Sequence, residues 1–146
     1  MPKGLKANIT VYDAMAGFQW FFITAILCTV ERNNKDKRRY ENAILEICRK
    51  NGKTFIIAIL FILLFFIEPK FSKFYSVAPD GSLSREIKTA IEEILHSSPA
   101  MLGKMNGKEK FKMLRDYIHC NITDNRYIPL NLIQQGALTV NCQVYF

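Results

Sequence analysis

The sequence predicts an α-helical membrane protein: one or two transmembrane helices carrying a small extracytoplasmic α+β module of two helices and a C-terminal β-hairpin or strand. Three observations carry that expectation. Residues 54–67 (TFIIAILFILLFFI) hold thirteen apolar side chains in fourteen and no charge. Residues 14–30 (AMAGFQWFFITAILCTV) hold thirteen in seventeen, again without charge. Between them, residues 31–53 carry eight basic and four acidic side chains, a large share of the net charge of +7. The averages, 49% apolar and 23% charged over 146 residues, are those of an ordinary globular chain, so the distribution decides. It argues against an ordinary soluble enzyme domain, a disordered chain and a disulfide mini-protein.

Each element has its own warrant. At about 1.5 Å per residue, segment 54–67 reaches roughly 21 Å, short of a hydrocarbon core of roughly 30 Å. Length alone therefore also allows a buried helix. The absence of a polar face and the flanking Lys50, Lys53, Glu68 and Lys70 favour a span. Segment 14–30 reads as a second span, or as a helix lying in the interface or packed in a partner subunit. No small-x-small cleavage site follows it, which argues for a retained anchor over a signal peptide. The chain thus divides into an anchor, 1–67, with a cytoplasmic loop 31–53, and an extracytoplasmic module, 68–146. Lys35, Lys37, Arg38 and Arg39 at the loop's centre are expected to set topology and touch acidic lipid headgroups. Aromatic interleaving there is poor, and no nucleic-acid partner is expected.

Tyr40, Ile44, Ile47 and Cys48 fall at helical spacing and predict an amphipathic helix leading to the span. Phe71, Phe74 and Tyr75 read as an interfacial belt and stalk, and Pro79-Asp80-Gly81 as a turn. Ile87, Ala90, Ile91, Ile94 and Leu95 line one face of a helix that Ser84 caps and Ser97-Ser98-Pro99 stops. A second helix is expected over 108–119, with Phe111, Leu114, Tyr117 and Ile118 inward. Leu138, Val140, Cys142, Val144 and Phe146 alternate with polar neighbours and predict a terminal strand. Residues 127–133 would pair with it, Pro129 confining them to an edge. So small a sheet calls for completion by another subunit or by the stalk segment near Phe74; the first makes 138–146 a strand-docking edge.

Chemical motifs are sparse. His96 and His119 lack metal-site spacing, and no cofactor or metal is expected. No Gly-rich phosphate loop, G-x-S-x-G or H-E-x-x-H pattern is read, so no enzyme is expected. The apolar segments hold no Asp, Glu, Lys, Arg or His, which disfavours a pump or transporter. Cys120 and Cys142 share the tail, and an oxidising compartment would let them close a loop of about twenty residues worth roughly 3 kcal/mol. Free buried cysteines are the alternative. Asn8-Ile9-Thr10 and Asn121-Ile122-Thr123 match the glycan acceptor pattern.

A basic, Tyr-containing amphipathic segment, an apolar span and a stalk, followed by Phe74-Tyr75-Ser76-Val77-Ala78-Pro79-Asp80-Gly81-Ser82-Leu83, resembles the start of the DotI/IcmL/TraM family. Those are inner-membrane proteins of type IVB secretion and conjugation machines. Pro129-Leu130-Asn131-Leu132-Ile133-Gln134-Gln135-Gly136-Ala137-Leu138 resembles that family's strand and Gln-Gly turn. The segment 14–30 and the short tail depart from its pattern. The resemblance implies a bacterial inner-membrane location and a module that assembles with other subunits. The function expected is a non-catalytic structural subunit of a membrane complex, with a small homo-oligomeric channel as the alternative.

Overall fold

The computed structural model describes residues 10–78, 81–105 and 107–131. Its organising element is helix α3 (Lys53–Ile67), preceded in the chain by α1 (Val11–Ala14), α2 (Gly17–Cys28) and a two-stranded ribbon, β1 (Val30–Glu31) and β2 (Asn34–Arg38). After it come β3 (Lys73–Ala78), α4 (Gly81–Ser97) and α5 (Pro99–Leu102). The strands β4 (Lys104–Met105), β5 (Lys108–Glu109), β6 (Phe111–Met113), β7 (Ile118–Cys120) and β8 (Arg126–Asn131) follow. A four-stranded mixed sheet has the order β3-β8-β7-β6, with β3 and β8 parallel and the other pairs antiparallel. Parallel neighbours require a crossover, and the connection through α4 supplies it.

The α3 shaft is buried from Ile56 to Ile62 and again at Leu64 and Phe65. Phe65 stacks edge-on against Phe74 of β3 and Phe111 of β6, at 5.7 and 5.6 Å between ring centres. Phe61 tilts against Tyr127 of β8 at 4.6 Å. Ala90, Ile91, Ile94 and Leu95, the apolar face of α4, are buried in the same core, as are Ile23 and Leu27 of α2. Tyr127 is fully buried; its hydroxyl shares a 2.6 Å hydrogen bond with Ser76, and burial pushes its pKa up to about 12.

The end of α3 is tied to the sheet by two side chains. The buried Asn125 amide donates from Nδ2 to the carbonyls of Phe65 (3.0 Å) and Glu68 (3.4 Å), while its Oδ1 accepts from the Ser72 amide at 2.8 Å. The Thr123 hydroxyl donates to the Phe65 carbonyl at 2.8 Å. Carbonyls that a helix end leaves unpaired are thereby satisfied.

This architecture corrects the membrane-protein expectation. Among the described residues no helix is long and apolar enough to cross a membrane. The segment 14–30 contains a helix of 12 residues and 54–67 lies within one of 15, spanning about 22 Å. The all-round hydrophobicity of α3 comes from being covered by two helices and a sheet, the other environment in which a helix needs no polar face. Bilayer partnership, an integral-membrane location and an extracytoplasmic tail all rested on those spans and fall with them. Phe74, read as part of an interfacial belt, is a core residue beneath Phe65.

Neither of two other predicted helices forms. Over 108–119 the chain forms β5, β6 and β7; Phe111, Ile118 and Cys120 point inward, and the Leu114 amide donates to the Tyr117 carbonyl to turn the hairpin. Residues 40–48 carry no helix: Ala43, Leu45 and Ile47 are half-buried while Ile44 is 85% exposed, a period of two. Pro129 sits in β8 between two neighbours, but β7 pairs only with Arg126 and Tyr127, so no ladder bond is lost at the proline. The residues Leu138, Val140, Cys142, Val144 and Phe146, the turn at Pro79-Asp80 and the Asn8 acceptor lie outside the described residues.

Asn125→Ala removes three hydrogen bonds and strands buried partners; a loss of about 1–3 kcal/mol in urea-unfolding free energy is expected. His119 in β7 supplies a pH dependence. Burial first, then the Arg126 guanidinium, lowers its pKa below the usual 6.5, although Asp124 lies 3.4 Å away. The unfolded chain binds the proton more readily, so this stability is fully present above 6.5 and lost as pH falls below it. Urea midpoints measured across that range fall for the natural chain and stay flatter for His119→Gln.

Candidate functional site

Helix α3 begins with Gly52-Lys53-Thr54. Gly52 is its N-cap with φ +73°, and it offers no side chain to the first-turn amides. Lys50, two residues earlier, is also left-handed at φ +69°. Two such residues around Asn51 fold the chain sharply into the helix, and Gly52 adopts this geometry without steric cost. The first N–H groups of α3 have no intrahelical acceptor, and the helix dipole adds positive potential there. Lys53 is exposed beside them and Thr54 is half-buried. A run of first-turn donors with an ammonium beside it suits a phosphate group.

The turn is held from behind by α2. Gln19 is buried; its Oε1 accepts from the Ala16 amide at 3.0 Å, and its Nε2 donates to the Asn51 carbonyl at 3.4 Å. A side chain at position 52 would place Cβ 3.1 Å from that Nε2. Trp20, next along α2, packs tilted against Tyr12 with ring centres 5.3 Å apart, and its indole N–H donates to the Tyr12 carbonyl. Along the shaft of α3, a cleft of about 540 Å³ runs from Lys53 past Ile57 and Leu60 to Leu64, with Arg38 and Glu41 on its other wall.

The Gly-Lys-Thr triplet escapes notice in the sequence. The phosphate-loop pattern G-x-x-x-x-G-K-[ST] would put its first glycine at position 47, where Ile47 stands. The signal that reveals it is positional: the triplet immediately precedes a long apolar run, where a buried helix begins.

The residues singled out earlier are not brought together here. Lys35, Lys37 and Arg38 lie on β2 and Arg39 just after it. Lys37 pairs with Glu31 at 2.8 Å, and that hydrogen-bonded carboxylate raises its pKa. Arg38 pairs with Glu68 at the far end of α3, and the Arg39 guanidinium lies 5.8 Å from the Tyr40 ring centre. Cys120 is buried in β7, and Cys142 lies outside the described residues. His96 closes α4 and His119 lies in β7, in separate elements. Among the described residues no cluster of three His, Cys, Asp or Glu side chains has metal-site geometry.

Gly52→Ala forces a left-handed alanine against Gln19, and a cost of about 1–3 kcal/mol is expected from equilibrium unfolding. Adding Gln19→Ala removes the clash partner and leaves only the backbone part, so the double variant should lose less than the two single losses combined.

No protein-family model matches the sequence, and no curated protein does. Among solved structures, the crystal structure of the HK97 bacteriophage large terminase matches with a TM-score of 0.65 at 18% identity, over 86% of this chain. The chain spans 24% of that terminase's length. This likeness replaces the DotI/IcmL/TraM resemblance and, with it, the secretion-machine subunit and the homo-oligomeric channel. The chain has the fold of part of a phage large terminase.

Proposed function

We propose that this chain is a nucleoside-triphosphate-binding module of a terminase-type protein acting in DNA packaging. The observation that carries the reading is Gly52-Lys53-Thr54 opening a long buried helix through a left-handed, uncapped N-terminus. In this reading the first-turn amides of α3 cradle phosphate oxygens and Lys53 meets the outer phosphates. The Thr54 hydroxyl is the group the pattern assigns to the accompanying Mg2+. Gln19 holds the Asn51 carbonyl and thereby sets the direction in which the amides face. The terminase-like fold supports the reading, and it replaces the expectation that nucleic acid is no partner. Binding is the activity proposed; Ile47 in place of the first glycine leaves one side of the phosphate loop without that residue's freedom.

Titration with a fluorescent ATP analogue and Mg2+ tests this. The natural chain is expected to bind, and Lys53→Ala to weaken binding about tenfold or more, the value of one charge-assisted phosphate contact. Equal affinity of the natural chain and Lys53→Ala, or no binding by the natural chain at millimolar nucleotide, would overturn the proposal.

A further inference from the structure

The β1–β2 ribbon does little for the core. From Glu31 to Arg39 every residue is exposed or half-exposed, and neither strand contributes to the hydrophobic core. A two-stranded ribbon is marginal alone, so its shape is held by polar ties. The Arg39 amide donates to the Thr29 carbonyl at 3.0 Å and closes its base. The Asp36 amide donates to Asn34 Oδ1 at 3.0 Å and shapes the irregular strand. The Arg38–Glu68 ion pair fastens it to the end of α3.

What the ribbon displays is charge. Residues 30–40 hold five cations against two acids. Lys37 and Arg38 are engaged by Glu31 and Glu68 and keep the ribbon in place. Among the described residues, Arg32 at the turn, Lys35 and Arg39 make no ion pair, and all three are exposed. Asp36 is the one exposed acid on β2; against it stand Arg32, Lys35 and Arg39, so the outward charge that no ion pair takes up is net positive.

We infer that the β1–β2 ribbon is a contact surface for the phosphate backbone of duplex DNA, with Arg32, Lys35 and Arg39 as the phosphate-neutralising groups. A two-stranded ribbon is of a size that the major groove admits, and exposed Arg and Lys give salt-dependent, sequence-independent attraction. The polyanion-binding character follows from the ribbon itself, whereas the choice of duplex DNA over an anionic lipid surface rests on the terminase-type reading. Arg38 is excluded from the contact set because its guanidinium is committed to Glu68.

The test is fluorescence anisotropy of a labelled duplex with the full chain over a KCl series, comparing the natural chain with the triple variant R32A/K35A/R39A. Affinity is expected to fall at least about tenfold at low salt, and the slope of log affinity against log salt to drop by about three, one for each lost phosphate contact. The charge-conserving variant R32K/R39K should retain binding, which separates lost charge from a disturbed ribbon. Equal affinity and slope for the triple variant would overturn the inference. So would failure of the natural chain to bind duplex, or ribbon-dependent binding to phosphatidylserine vesicles in its place. The nucleotide reading is judged separately: ATP-analogue binding should survive in the triple variant, and duplex binding should survive in Lys53→Ala.

Discussion

An uncharged helix shaft that must be shielded from water on every side organises this protein. Helix α3 has no polar stripe, so packing on one neighbour would leave half of its apolar surface wet. The fold answers with three coverings: the sheet face bearing Phe74, Phe111 and Tyr127, the amphipathic face of α4, and Ile23 and Leu27 of α2. The parallel β3–β8 pair follows from the same demand, because the crossover between those strands is what lays α4 on the core.

The two ends of that helix are treated in opposite ways. At the C-terminal end, Asn125 and Thr123 reach from the sheet and satisfy the carbonyls of Phe65 and Glu68. At the N-terminal end Gly52 brings no capping group, while Gln19 braces the preceding carbonyl from the buried side. A buried shaft with one end sealed and the other open leaves its positive end as the place where an anion gains most. Structure and the proposed chemistry are thus two consequences of how one helix is mounted.

Much of this was legible in particular residues. Ile87, Ala90, Ile91, Ile94 and Leu95 announce α4 by their helical period, and the unbroken apolar run from Thr54 to Ile67 announces α3, because burial on one face leaves a stripe and burial all round leaves none. Residues 40–48 and 108–119 misled for the opposite reason. Ile44 and Ile47, or Phe111 and Leu114, are separated by three and satisfy a helical template, whereas the alternation of short extended segments spans too few residues to compete. Of the candidate site, Lys53 was visible only as a flanking charge, since Ile47 breaks the pattern that would have marked it.

The sequence by itself determined that two uncharged apolar segments exist, that cations gather between them and that one amphipathic helix follows. It did not determine the medium that shields the apolar segments. Hydrophobic transfer is non-directional, so lipid and protein interior make the same demand on side-chain composition. Only the tertiary structure decided between them, by supplying a sheet and two helices close enough to cover α3 and by ending that helix short of a membrane's thickness. The same structure turned Gly52-Lys53-Thr54 from a flank into an open helix terminus, because whether an amide is capped depends on what lies opposite it in space.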